Sequence, residues 1–399
     1  MFFTPAGPIF FTVSPAAESK ENSLSLKALV NRFFGHGPYR VAPLAALATA
    51  RGHPRFSPIH WPELQSALVA SVPTDSFFAP AGHSLLSQQA QPELLGPLPR
   101  YRHAGLLTSR PRELWLLDDG AVAGTTGAVW CPRTRILLSE TARHWFRSSY
   151  AHSLLCAFRF PPPRPLAGLT LHLGTLDAEG FYHFLIEAVP KLALARPFLR
   201  RIDHFLVNGR PGGFQEKWLR LASIDPSRIQ WLEGLSHFRC EQLLFVCPLA
   251  EEQGPTPWFV SQLRSLFPSP SAPTGRLLWL TRAGAACRHL IWEQQLLDRL
   301  PGFERVDPAA MDPAAQVALF ASAAVVAGPH GAGFANLVFC APGTRVIEVM
   351  PNLRHLPLYA RLSAASGLTH CWFAANFTQP TDTAGIASAI IDWLKRPLP

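Results

Sequence analysis

Val325-Val326-Ala327-Gly328-Pro329-His330-Gly331-Ala332-Gly333-Phe334-Ala335-Asn336-Leu337-Val338-Phe339 reads as a buried strand, a tight turn and a helix entered through small residues. Ala324 to Ala327 are apolar and bounded by turn formers, as a central parallel strand requires. Gly328-Pro329 ends the strand. Gly331 and Gly333 carry no Cβ, so a ligand can come close to their backbone. The helix that follows, to Phe339, is expected to aim free N–H groups and the positive end of its dipole above the turn. That arrangement suits a phosphate, with His330 beside it. A strand-to-helix turn that binds nothing has the same local signature.

The surroundings repeat the pattern. Strands are expected at Leu277–Leu280, Phe303–Val306, Ala324–Ala327, Arg345–Val349 and Thr369–Phe373. Helices are expected at 291–300, from the Asp312-Pro313 cap to Ser322, near 356–365 and at 384–395. Upstream, Leu169–Leu173, a helix from about Glu179 to Ala195, Phe205–Val207, a helix near 214–222, Ile229–Leu232 and Gln242–Cys247 form a second alternating run. Before that, short strands between Glu113 and Leu138 read as a β-meander, with turns at Asp118-Asp119-Gly120 and Pro132-Arg133-Thr134. Alternation of this kind predicts an α/β protein with parallel sheets. The expected division is an N-terminal extension over 1–104, an N-terminal Rossmann-like domain over 105–255, a proline-rich linker over 256–275 and a C-terminal Rossmann-like domain over 276–399. In the extension, helices are expected near 24–34 and 62–70. Two such domains facing each other leave a cleft beyond the carboxyl ends of the strands.

Composition narrows the class. The 399 residues are 48% hydrophobic and 16% charged, enough for large cores. Thirty-nine prolines predict rigid loops and abrupt element ends. The net charge of +9 favours anionic ligands or a membrane surface. No block of Lys and Arg interleaved with aromatics occurs, so no nucleic-acid partner is expected. Seven scattered cysteines, with no Cys-x-x-Cys pair, suggest buried thiols in a reducing compartment. Residues 1–20 lack a basic leader pattern. The uncharged run from Pro313 to Thr344 could match a membrane span in length, but its turn and polar residues mark it as the centre of an α/β domain. A cytoplasmic protein, with at most peripheral membrane contact, is the expectation.

Three stretches could carry chemistry. In Gly180-Phe181-Tyr182-His183-Phe184-Leu185-Ile186-Glu187-Ala188-Val189-Pro190-Lys191-Leu192, His183 and Glu187 share a helix face. A histidine beside a carboxylate suits proton abstraction from an attacking hydroxyl. The competing reading is a solvent stripe of His183, Glu187 and Lys191. A metal is not expected, because no third ligand accompanies the pair. In Thr281-Arg282-Ala283-Gly284-Ala285-Ala286-Cys287-Arg288-His289, Arg282 and Arg288 at a strand end could neutralise a diphosphate, or simply face solvent. In Pro342-Gly343-Thr344-Arg345-Val346-Ile347-Glu348-Val349, Glu348 could accept from ribose hydroxyls or form a rim salt bridge.

The order Tyr-His-Phe-x-x-Glu-x-x-Pro-Lys-Leu, then strand-Thr-Arg, then Gly-Pro-His-Gly-Ala-Gly-Phe-Ala-Asn-Leu-x-Phe, then Pro-Gly-Thr-Arg-Val-Ile-Glu-Val, resembles glycosyltransferase family 61, the capsular-polysaccharide type, over about residues 105 to 395. The resemblance implies a GT-B fold and inverting transfer from a nucleotide sugar, usually a UDP-sugar, without a metal or other cofactor. It implies donor contacts at Arg282, His330, Gly331, Ala332 and Gly333, and a ribose contact at Glu348. Arg288 and Asn336 are grouped with the donor residues. His183 and Glu187 match the acceptor-side helix, where a base is expected, and either of them could be that base. The expected partners are the donor and a glycan or lipid-linked glycan acceptor. A non-catalytic nucleotide- or glycan-binding module and a sugar-nucleotide epimerase of GT-B architecture are the alternatives.

Overall fold

The structure, a computed structural model, describes residues 113–138, 161–247, 255–269, 274–285, 287–351, 358–379 and 381–397, with short pieces at 40–42, 76–78, 83–84, 106–108 and 141–142. The helices expected near 24–34 and 62–70 lie outside the described residues.

Sixteen strands are described: β1 (Arg40–Ala42), β2 (Ser76–Phe78), β3 (His83–Ser84), β4 (Leu106–Thr108), β5 (Glu113–Ala123), β6 (Ala128–Cys131), β7 (Ile136–Leu138), β8 (Arg164–His172), β9 (His204–Asn208), β10 (Ile229–Leu232), β11 (His237–Cys247), β12 (Arg276–Leu280), β13 (Phe303–Val306), β14 (Ala323–Pro329), β15 (Arg345–Pro351) and β16 (Thr369–Ala375). Fourteen of them build two sheets. The first runs β1-β7-β6-β5-β11-β8-β9-β10, and the second β13-β12-β14-β15-β16-β3.

Every pairing in the second sheet is parallel. Its strands are nearly continuous apolar runs because helices cover both faces. The first sheet departs from a fully parallel, Rossmann-like arrangement. β8, β9, β10 and β11 are parallel neighbours, but β5, β6 and β7 join them as an antiparallel meander. One turn of that meander is not where its residue types predict. Asp118-Asp119-Gly120 lies inside the single long strand β5, paired with β11. Asp119 takes the left-handed conformation (φ 57°) without breaking the strand, and Arg239 on β11 holds its carboxylate at 2.5 Å. Ladder pairing outweighs local turn preference there. The N-terminal extension supplies β1 to the first sheet and β3 to the second.

Both sheets contain a point where the chain reverses its direction of travel. In the second, β13 lies to one side of β12, and β14, β15 and β16 lie to the other. In the first, β9 and β10 lie to one side of β8, and β11 to the other. Loops at such a switch diverge and leave a crevice at the carboxyl ends of the strands. These loops are 281–289 after β12, 330–331 after β14 and 173–180 after β8.

A single hydrophobic cluster joins the two halves. It includes Phe184, Leu185 and Trp218 from the first half and Phe320, Phe334, Phe339 and Leu362 from the second. Trp218 stacks on Phe339 with ring centroids 5.7 Å apart, and Phe267 meets both rings edge-on. The helix Pro257–Leu266, inside the expected linker, contributes Val260 and Leu263 to this cluster. Its Arg264 donates to the carbonyls of Val338 and Cys340. Separate clusters cover the far face of each sheet. Pro313–Ala321, β14 and Ala332–Phe339 make up most of the uncharged run, and most of their residues are buried in the protein. No helix among the described residues is long and apolar enough to cross a membrane.

Candidate functional site

The helix after β8 is built in three pieces: an α turn Phe181–His183, a π segment Phe184–Ala188 and an α segment Pro190–Leu194. Pro190 explains the interruption. It has no N–H to donate one turn back, and Val189 N–H instead reaches Phe184 O at 3.0 Å, five residues away. The wider turn keeps His183 and Glu187 on one side, with His183 Nδ1 3.0 Å from Glu187 Oε2. The His183 side chain is 21% exposed and that of Glu187 9%.

Lys191 does not continue a solvent stripe. It is buried, and its Nζ donates to the carbonyls of Leu173 and Gly174. His172, also buried, takes Gly174 N–H on Nδ1 at 3.0 Å and lies 2.7 Å from Gly127 O through Nε2. Burial and then the Lys191 charge push its pKa down to about 3, so it is a neutral structural ring. Lys191 and His172 together pin the loop that leads into His183.

In the second half, the loop after β12 is held by Glu293. This buried carboxylate accepts from Trp279 Nε1 at 3.0 Å and Thr281 Oγ1 at 2.6 Å, and pairs with Arg305 at 2.8 Å. Its helix, Glu293–Leu297, is shorter than the sequence pattern suggests. Thr281 in turn takes the Ala283 N–H, so Arg282 follows a fixed residue. Arg282 donates to Cys287 O through Nη2 at 3.1 Å. Burial disfavours its cation first, and the charge of Arg288 adds to that. Arg288 holds a left-handed backbone (φ 59°). Among the described residues neither arginine has a carboxylate within ion-pair distance. Two half-buried cations without a counter-charge favour an anion between them.

The turn after β14 meets this loop. Gly328 (φ 149°) passes so close to β12 that a Cβ there would lie 2.5 Å from Leu280 O. At Gly331 a Cβ would run into the Arg282 guanidinium and sit 2.9 Å from its Cδ. Gly331 is therefore covered by Arg282, while Ala332 and Gly333 are partly exposed. The helix Ala332–Phe339 is 3-10 and not α. Its first internal bond, Phe334 N–H to Gly331 O, leaves the amides of Ala332 and Gly333 outside the helical pattern. Asn336 does not face a ligand. It is fully buried, and its Nδ2 donates to Gln316 Oε1 and Gly333 O, tying this helix to Pro313–Ala321.

Glu348 needs a different role from ribose contact. It is 0% exposed, with Oε1 2.5 Å from His330 Nδ1 and Oε2 3.2 Å from His370 Nε2. Strand alternation explains this placement, since Val346 and Glu348 share a face of β15 opposite Ile347 and Val349. Burial pushes the carboxyl pKa up, but the two imidazoles outweigh it and hold the group at about 2.

The two halves touch at the site. The turn Phe181–His183 packs directly against Ala332–Phe339. Tyr182 lies 5.2 Å from the His183 ring and 5.7 Å from the Tyr359 ring, and Tyr359 lies 5.0 Å from His330. Both phenols are buried. Burial raises their pKa, with Glu187 adding for Tyr182 and Glu348 for Tyr359. The arrangement thus sets a histidine–carboxylate pair on one side of two tyrosines, and a histidine, two arginines and free amides on the other. Tyr359, His370 and Ser363 lie outside the sequence motifs, and Tyr182 opens one of them without an assigned role. The isolated His370, directly before the apolar run Cys371-Trp372-Phe373, is the available signal.

A family model described as Glycosyltransferase 61 matches residues 181–347. No curated protein matches the chain.

Proposed function

Over residues 181–347 the chain belongs to glycosyltransferase family 61, and from that premise we propose that it moves a sugar from a UDP-sugar to a glycan or lipid-linked glycan hydroxyl, with inversion and without a divalent metal. The observation that carries this reading is the meeting of Arg282 with Gly331 at the switch point of the second sheet. There, guanidinium groups and the amides of Ala332 and Gly333 can receive a diphosphate. His183, oriented by Glu187, takes the proton of the acceptor hydroxyl. The acceptor oxygen attacks the anomeric carbon opposite the leaving group, so one bond forms as the other breaks. The electron pair leaves on the diphosphate oxygen, whose charge Arg282 and Arg288 stabilise. The formed His183–Glu187 pair favours a catalyst over a binding module of the same fold.

A thermal-shift screen of nucleotides and nucleotide sugars in excess chelator tests the donor class. Free ligand at a hundredfold above its Kd stabilises the native state by about 2.7 kcal/mol. UDP and a UDP-sugar are expected to raise the melting temperature, and a flat response to every nucleotide would remove the reading. A second expectation follows from the crowding at Gly331. Its extended backbone (φ −178°) accepts alanine, but the new methyl displaces Arg282. Gly331→Ala should keep a near-native melting temperature and weaken UDP binding about tenfold, the loss of one charged hydrogen bond. Unchanged UDP affinity would show that Arg282 does not work from its observed position.

A further inference from the structure

The steps above leave Glu348, His370 and Ser363 unused. We propose that these three residues form a positioning relay, in which Glu348 accepts from His330 Nδ1–H and holds the ring as an imidazolium, so that the second N–H, on Nε2, is left to donate to the donor diphosphate. This rests on the donor-site reading above.

The hydrogen-bond polarity follows from elementary chemistry. An ionised carboxylate only accepts. Glu348 Oε1 lies 2.5 Å from His330 Nδ1, which presents its N–H to the carboxylate, and Oε2 lies 3.2 Å from His370 Nε2, within ion-pair distance but outside hydrogen-bond geometry. Ser363 Oγ is 3.0 Å from His370 Nδ1, which a hydroxyl can satisfy as donor. Ser363 therefore backs His370, His370 stands at ion-pair distance from Glu348, and His330 donates to Glu348 from the other side. A histidine whose Nδ1–H is committed to a carboxylate has its tautomer and ring orientation set.

The relay is assembled from three separate elements. Glu348 stands on β15, His370 on the adjacent strand β16, and Ser363 on the helix Leu358–Ser366 that covers them. The same helix lays Tyr359 against His330, at 5.0 Å between centroids. The imidazole is thus held at its edge by the carboxylate and by the ring of Tyr359. Glu348 is 0% exposed, and an apolar side chain could fill that space without the desolvation cost of a charge. A plain structural staple between β15 and β16 would affect stability. A positioning relay must also change the state of His330 and the affinity for the diphosphate.

The test uses the full chain labelled with ¹⁵N-histidine. Long-range ¹H–¹⁵N correlation, with His330→Gln to assign the signal, reports which ring nitrogen of His330 carries a proton. UDP titration by calorimetry reports the site. The relay predicts a protonated Nδ1 in the wild type, and a protonated Nε2 as well when UDP is bound. It predicts loss of that fixed state in Glu348→Gln, together with UDP affinity lower by about tenfold or more, as for a lost charged hydrogen bond. If Glu348→Gln does not fold, Ser363→Ala, at the remote end, is expected to shift the His370 and His330 ring signals in a folded protein. An unprotonated Nδ1 in wild-type His330 would overturn the relay. So would a Glu348→Gln protein that binds UDP within about twofold of wild type, a difference too small for a charged hydrogen bond. If UDP binds no form of the protein, the donor-site reading fails. The ring signals then still decide whether Glu348 orients His330.

Discussion

Replacing His183 with alanine is expected to abolish sugar transfer and leave UDP affinity near that of the wild type. His183 is on the first half of the protein, with Nδ1 3.0 Å from Glu187, whereas the groups assigned to the diphosphate stand on the second. General-base catalysis contributes about 10²- to 10⁴-fold, so turnover should fall by at least the lower figure. Transfer of a labelled sugar and calorimetric UDP binding, measured on one preparation, separate the two effects. Unchanged turnover would remove His183 as the base. Weakened UDP binding with normal turnover at saturation would reassign it to the donor. Glu187→Gln distinguishes the two orders of action. If Glu187 only orients His183, its loss should cost less than the loss of His183, because the imidazole remains. If Glu187 is itself the base, its loss should cost as much or more. Its lower exposure, 9% against 21%, favours the orienting role.

Arg282→Ala is expected to give the largest loss of nucleotide affinity. Hydrogen bonds to charged groups contribute about 1.5–3 kcal/mol each, so losing one or two from a guanidinium should weaken UDP binding from about tenfold to more than a hundredfold. Stability should change little. The described bonds of Arg282 go to the Cys287 carbonyl, and removing one of two neighbouring cations relieves the effect of Arg288 on it. Arg282→Lys should recover part of the affinity, since an ammonium keeps the charge but not the planar fork. Calorimetry with UDP and a parallel melting curve measure both quantities. A protein that melts normally and binds UDP as tightly as the wild type would exclude Arg282 from the donor site.

Much of this architecture was legible because its causes are local. Apolar runs bounded by Gly and Pro located most strands of the second sheet, and Asp312-Pro313 marked the start of its helix. His183 and Glu187 could be paired in advance because both belong to one helical stretch, and helix periodicity alone brings them together. The limit of that reasoning shows at Lys191. The same periodicity suggested solvent, but the fold turns this side chain toward the carbonyls of Leu173 and Gly174. It shows again at Asp118-Asp119-Gly120, where turn-forming residues lie in a strand because β11 offers a complete ladder and Arg239 as a partner.

What the amino-acid sequence determined by itself was the alternation of strands and helices, the glycine turn at 328–333 and the residue types able to handle protons and anions. Tertiary structure decided which of those residues come together. Strand alternation assigns Glu348 a face of β15, but only the pairing of β15 with β14 and β16 makes it a buried partner of His330 and His370. Likewise, only the strand order β13-β12-β14 brings Arg282 onto Gly331. Local propensity acts over a few residues, while these contacts join positions about 18 to 50 apart in the chain, and long-range packing alone can bring them together.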